Sequence, residues 1–150
     1  MDWYALWFVR ASLVWLATAV TLGSAMAAHP EWVIYRTAHL HLALLGFVTM
    51  MIYGVAYHVL PRFMARPFTN RKLAGVHWWL SNVGLALLAA GFIWRPHAGP
   101  RATPLLSAGG ILSALGAYLF VGLMLRTLSR RGGPEKVPLK ATAEKGAAQK

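Results

Sequence analysis

The chain has 150 residues, of which 57% are hydrophobic and only 13% charged, and its mean hydropathy is positive at +0.49. That composition excludes an ordinary water-soluble domain and fits a small, single-domain membrane protein. Most of the net charge of +11 sits in one internal loop and the C-terminal tail, as membrane topology demands rather than as nucleic-acid binding does, and the absence of cysteine excludes disulfides, thiolate metal sites and iron–sulfur clusters.

The first apolar segment runs from about Trp3 to Ala28 and is broken only by Arg10. Its end, Ser24-Ala25-Met26-Ala27-Ala28, has the small residues of a signal-peptidase site. The opening carries Asp2 and aromatics instead of a short basic region, and the apolar stretch is long, so it reads as a retained span. Trp3, Trp7 and Trp32 suit the interfacial aromatic belt, and Arg10 suits a snorkelling or structural role. His29-Pro30-Glu31-Trp32 forms the connection to the next span.

The second span, residues 36–60, is expected to stop at Pro61, which has no N–H to donate. It is long enough for a bilayer, which takes ~20 apolar residues. Histidines at membrane depth are costly and by default mark a function. His39 and His41 lie ~200° apart around a helix and cannot grip one group from the same face. The His39 face continues through Ala43, Gly46, Met50, Gly54 and Tyr57, small or polar-tinged residues suited to burial. The His41 face continues through Leu45, Val48, Ile52 and Val59, suited to lipid or to an apolar contact.

A basic loop follows at residues 62–72, with Arg62, Arg66, Arg71 and Lys72. The third span, residues 73–94, opens with His77, Trp78, Trp79 and Asn82. A Pro- and Gly-containing loop, residues 95–104, leads to a fourth span at 105–128. There Gly109, Ser113 and Ala117 make one small-residue stripe, and Gly110, Ala114 and Gly122 another, either of which could pack the bundle or join two copies. The expected fold is all-α: a four-transmembrane-helix bundle over residues 1–128, with a basic, mobile tail at 129–150 that lies against anionic lipid heads. The internal loop holds four basic residues and the tail from Arg126 seven, against Arg36, Arg95 and Arg101 on the other side. The positive-inside rule then puts both termini in the cytoplasm and His29, His39, His41 and His97 toward the outside.

Thr37-Ala38-His39, then twenty-one residues, then Pro61, with Gly54 seven residues before that proline, resembles the second transmembrane helix of the catalytic subunit of heme-copper oxidases and nitric oxide reductases. The resemblance covers roughly a quarter of the chain. It implies that His39 is an axial ligand of a low-spin heme b near the outer surface, the side on which the charge count independently puts it. Without cysteine, such a heme is held non-covalently. Ala43 and Gly46 leave room for the flat ring, and Arg36, one turn before His39, suits a propionate. The second ligand is open: His39 of a second copy in a homodimer, His97, His29, or His41 acting on a neighbour's heme. His58 and His77, on the inner side, suit a second site or an interfacial role, and the methionines suit packing.

A complete oxidase or reductase also needs a high-spin heme beside a metal on three further histidines. Six histidines spread over both sides, with no adjacent pair, do not provide that. The expected function is heme b-linked electron transfer, or gas or redox sensing, at the outer side of a prokaryotic plasma membrane. The alternative is a cofactor-free accessory subunit or assembly factor of a respiratory oxidase. Copper or heme handling by the His39/His41 pair is a third idea, disfavoured by their opposite directions.

Overall fold

In the computed structural model, residues 2–64, 68 and 70–129 are described. The expectations for Arg66 and for the tail beyond Ser129 lie outside these residues. Three helical segments are long and apolar enough to cross a membrane: Trp3–Ala28 (α1), Pro30–Phe63 (α2) and Arg71–Ser129. The last turns back on itself through a tight 3₁₀ turn at Gly99–Ala102, giving Arg71–Ala98 (α3) and Thr103–Ser129 (α4). Gly99 makes the turn with φ +54° and ψ −127°, a combination that side chains with a Cβ avoid.

The helices run further than their prolines suggested. α2 starts at Pro30 as a 3₁₀ turn and passes Pro61 to end at Phe63, and α3 passes Pro96 to end at Ala98. In both, proline stands in the last turn, where one lost hydrogen bond matters little; at its start, Pro30 removes a donor that has no helical partner anyway.

α2 is also not uniform. Leu42–Thr49 is wound as a π-helix, and the Thr49 hydroxyl donates to the Leu44 carbonyl at 2.8 Å. Wider turns shift the register between the two halves of the helix. The face that includes Gly46, Met50, Gly54 and Tyr57 is buried, as the small-residue pattern suggested, while Leu40, Leu44, Val48, Ile52 and Val55 are exposed.

Close backbone approach holds the helices together, as expected where lipid tails compete for every apolar contact. A Cβ on Gly54 would stand 2.8 Å from Val9 Cγ2 and 3.0 Å from the Ala5 carbonyl, and one on Gly46 would stand 2.6 Å from Trp15 Cβ. These contacts pair α2 with α1 antiparallel. Along α3 and α4, Gly91 meets Leu106, Gly84 meets Ser113 and Gly109, and Gly116 meets Ser81. The pairing rises on one helix as it falls on the other, so these two are antiparallel as well. The two small-residue stripes of α4 separate here: Gly109 and Ser113 pack the bundle, while among the described residues nothing lies within 4 Å of a Cβ at Gly110 or Gly122.

The larger aromatic core lies near one end, around Tyr4, Phe8, Tyr57, Phe68 and Leu85; a smaller cluster of Ala19, Leu42 and Ala89 lies toward the other. The first end is tied by Arg71 and Asp2 at 3.8 Å, the second by Tyr35 and His97 at 2.8 Å. Trp3, Trp7 and Trp32 are 41–50% exposed, consistent with the aromatic belt, and Arg10 stands over the Trp7 ring at 6.0 Å.

Candidate cofactor site

His39 enters the bundle because α1 gives it a glycine to lie on. A Cβ on Gly23 would stand 2.9 Å from His39 Cε1, 3.3 Å from Nδ1 and 3.7 Å from Nε2. The ring is half-buried against α1, and its Nδ1 is 3.0 Å from the carbonyl of Ala19, one turn before Gly23. A carbonyl only accepts, so Nδ1 carries the proton and Nε2 keeps its lone pair. Among the described residues Nε2 has no hydrogen-bond partner. A backbone carbonyl on Nδ1 fixes tautomer and ring orientation in metal-ligating histidines generally.

His41 points away from this site, as the helix geometry requires. Its Nδ1 bonds the Thr37 carbonyl at 2.8 Å, and its ring lies on Phe92 of α3 at 4.6 Å. Ala43 is half-buried beside the Ala19–Leu42–Ala89 cluster. Gly46 does not leave room for a flat ring: Trp15 Cβ and Leu85 Cδ2 stand 2.6 and 2.9 Å from its Cβ position, so the hollow is closed by protein. Arg36 is exposed and makes no hydrogen bond or ion pair among the described residues.

The other histidines at this end have partners of their own. His97 Nε2 is bonded to the Tyr35 hydroxyl, and His29 Nδ1 lies 3.3 Å from Glu31 with its ring on Trp32. Among the described residues no cluster of three metal-ligating side chains forms. The geometry therefore divides: His39 Nε2 is oriented and has no hydrogen-bond partner among the described residues, while these residues assemble neither a second histidine beside it nor a slot for a flat ring.

His58 and His77 are not brought together either. His58 Nδ1 takes Arg62 on its own helix at 2.6 Å. His77 is fully buried, with Nδ1 2.9 Å from the Tyr57 hydroxyl and its ring among Phe8, Tyr53, Tyr57 and Phe120. Higher on α3, Asn82 accepts from Trp15 Nε1 at 2.9 Å, which accounts for an amide in the span.

Sequence reasoning missed Gly23, Ala19 and Phe92. A lone glycine in α1 gave a weak signal, because its partner is set by how far α1 and α2 slide past one another. A backbone carbonyl gives no signal at all.

The family described as Cytochrome C and Quinol oxidase polypeptide I matches residues 3–141. The Cbb3-type cytochrome c oxidase subunit CcoN1 of Stutzerimonas stutzeri is 29% identical over 87 residues, 51% of this chain and 18% of that protein. Cytochrome c oxidase subunit 1 of Rhodobacter capsulatus is 28% identical over 82 residues, 48% of this chain and 15% of that protein. The aligned part is thus under a fifth of either relative's length. No solved structure matches the chain.

Proposed function

Because the chain belongs to the Cytochrome C and Quinol oxidase polypeptide I family, we propose that it is a heme b-binding membrane protein in which His39 Nε2 is an axial ligand. Proteins of this family bind hemes. The observation that carries the reading is the 3.0 Å contact between His39 Nδ1 and the Ala19 carbonyl, which orients the ring and leaves Nε2 free. A bound heme supplies one-electron redox chemistry and, with an open axial position, a seat for a gas. Its work is electron transfer, or gas or redox sensing, at the His39 end.

The chain's own residues do the holding. Gly23 lets the imidazole lie against α1, Ala19 fixes its proton, and Ala43 borders it one turn on. The guanidinium of Arg36, exposed and without a partner among the described residues, would pair with a propionate. His97 or His41 serves as second ligand only by leaving Tyr35 or Phe92. A second copy in a homodimer, or a partner in a respiratory complex, otherwise supplies that ligand and the ring's other wall.

We read Arg71–Ser129 as two crossings, giving four spans with both termini in the cytoplasm and His39 outward. The basic residues of the loop near Arg62 and of the tail support this orientation. The membrane is the plasma membrane of a prokaryote, in keeping with the bacterial relatives.

A second reading has its own support. The closed hollow beside Gly46 suits a cofactor-free accessory subunit or assembly factor that contacts a respiratory oxidase. An absorption spectrum of the purified protein before and after reduction separates the two. A Soret band that shifts on reduction supports heme; a stable, colourless protein that stays colourless after incubation with hemin supports the accessory role.

A further inference from the structure

The aromatic core at the end away from His39 holds a polar pair that the heme reading does not use. Tyr57 and His77 are both fully buried, and the Tyr57 hydroxyl stands 2.9 Å from His77 Nδ1. His77 Nε2 has no hydrogen-bond partner among the described residues. That sets the direction of the bond. If Nδ1 donated, the hydroxyl hydrogen and the Nε2 lone pair would both lack a partner; if the hydroxyl donates, only the Nε2 hydrogen does. A buried polar group left unpaired carries its full desolvation penalty, so the arrangement with fewer of them is the stable one. Tyr57 donates and Nδ1 accepts.

The surroundings suit movement of that proton. The ring centroids of Phe8, Tyr53, Tyr57 and Phe120 lie 4.6–5.7 Å from that of His77. Aromatic rings within ~6 Å of a cation stabilise it, so this box favours an imidazolium where water is excluded. Tyr57 also leads to the surface through rings that give up an electron more readily than phenylalanine. Its centroid is 5.5 Å from that of Tyr4, and that of Tyr4 is 5.7 Å from Trp3, which is 50% exposed at the start of α1. Tyr4 itself is buried, with its hydroxyl bonded to Asp2.

We propose that Tyr57 is a redox-active tyrosine whose proton acceptor is His77. The substrate class is a one-electron oxidant at the membrane surface, such as a lipid peroxyl radical, that meets Trp3. Trp3 gives it one electron, which is replaced from Tyr57 by way of Tyr4. As Tyr57 loses that electron, its hydroxyl proton crosses to His77 Nδ1: the O–H bond breaks and an N–H bond forms. The products are a neutral tyrosyl radical, an imidazolium and the oxidant reduced by one electron; a reduced peroxyl takes a proton from water to become the hydroperoxide. Among the described residues no group accepts a proton from Nε2, so the proton stays beside the phenoxyl oxygen. An electron returned through Trp3 then restores the pair. The site works with or without heme at His39.

Freeze-quenched EPR on the full chain in lipid nanodiscs tests the proposal, with flash-generated ruthenium(III) tris(bipyridine) in the water phase as oxidant and nitrogen-labelled histidine in the protein. The expected result is a neutral tyrosyl radical with a hyperfine coupling to a histidine nitrogen. It is lost in Tyr57→Phe, forms more slowly in Trp3→Phe, and is kept in Tyr35→Phe, which removes the other tyrosine bonded to a histidine. A tyrosyl radical without histidine coupling overturns the proposal, as does one that survives Tyr57→Phe or forms at the wild-type rate in Trp3→Phe. So does a radical confined to tryptophan. Should Tyr57→Phe not fold, the coupled signal in Tyr35→Phe decides alone, because Tyr57 is then the one tyrosine still bonded to a histidine among the described residues.

Discussion

The imidazole of His39 lies on Gly23, with Cε1 only 2.9 Å from where a Cβ would be. The nearest atoms belong to the end of a flexible side chain, so an added methyl displaces the ring and leaves the helix backbone in place. Gly23→Ala gains up to ~1 kcal/mol of helix propensity and loses a comparable amount to overpacking. Its unfolding temperature in detergent is expected to stay close to wild type. Hemin titration is expected to show an affinity at least tenfold weaker, because a ring turned off the Ala19 carbonyl no longer aims Nε2; second-shell changes typically cost about 10–100-fold. Unchanged affinity would show that the ring's rest against α1 has no bearing on heme.

Tyr57 and His77 form a buried pair at 2.9 Å, and Tyr57→Phe leaves Nδ1 without its partner. The expected loss is ~1–2 kcal/mol, read from unfolding in a denaturing detergent series. Replacing His77 by Phe as well is expected to recover part of that loss, since no unpaired nitrogen then remains. Additive losses in this cycle would mean that the two side chains do not interact.

The two glycines at 109 and 110 are neighbours in sequence and opposites in packing. A Cβ at Gly109 meets the Leu88 backbone nitrogen at 2.6 Å and the Gly84 carbonyl at 2.8 Å, and backbone cannot step aside. Among the described residues nothing lies within 4 Å of a Cβ at Gly110. Gly109→Ala is expected to cost ~1–3 kcal/mol, and Gly110→Ala to be neutral or stabilising by up to ~1 kcal/mol. Thermal unfolding of the two variants side by side checks the order.

The contact between Asp2 and Arg71 is long, at 3.8 Å, and the arginine is 66% exposed. Asp2→Asn is therefore expected to change stability by no more than ~0.5 kcal/mol. A larger loss would place this end of the bundle in a drier setting than its exposure indicates.

Much of the architecture could be read from the residues themselves. The period of small residues from Gly46 to Tyr57 put the buried face of α2 where it is found, and the ~200° between His39 and His41 sent the two rings to different neighbours. Hydropathy found α1 almost to the residue. The end of α2 falls beyond the expected stop at Pro61, because a proline in a final turn removes little, and α3 likewise runs four residues past 94 through Pro96. The π-wound stretch from Leu42 to Thr49 has no composition of its own, so no pattern announced it. Gly46 shows the limit for the site: a glycine opens a hollow only if no neighbour fills it, and Trp15 does. His77 was visible as a histidine in a span, but its pairing with Tyr57 depends on how α2 and α3 pack.

Hemin titration of the apoprotein followed at the Soret band, with His39→Ala and His41→Ala in parallel, tests the central claim most directly. The account predicts that His39→Ala abolishes the band while His41→Ala largely keeps it. A band that survives in His39→Ala, or that disappears only in His41→Ala, would contradict it.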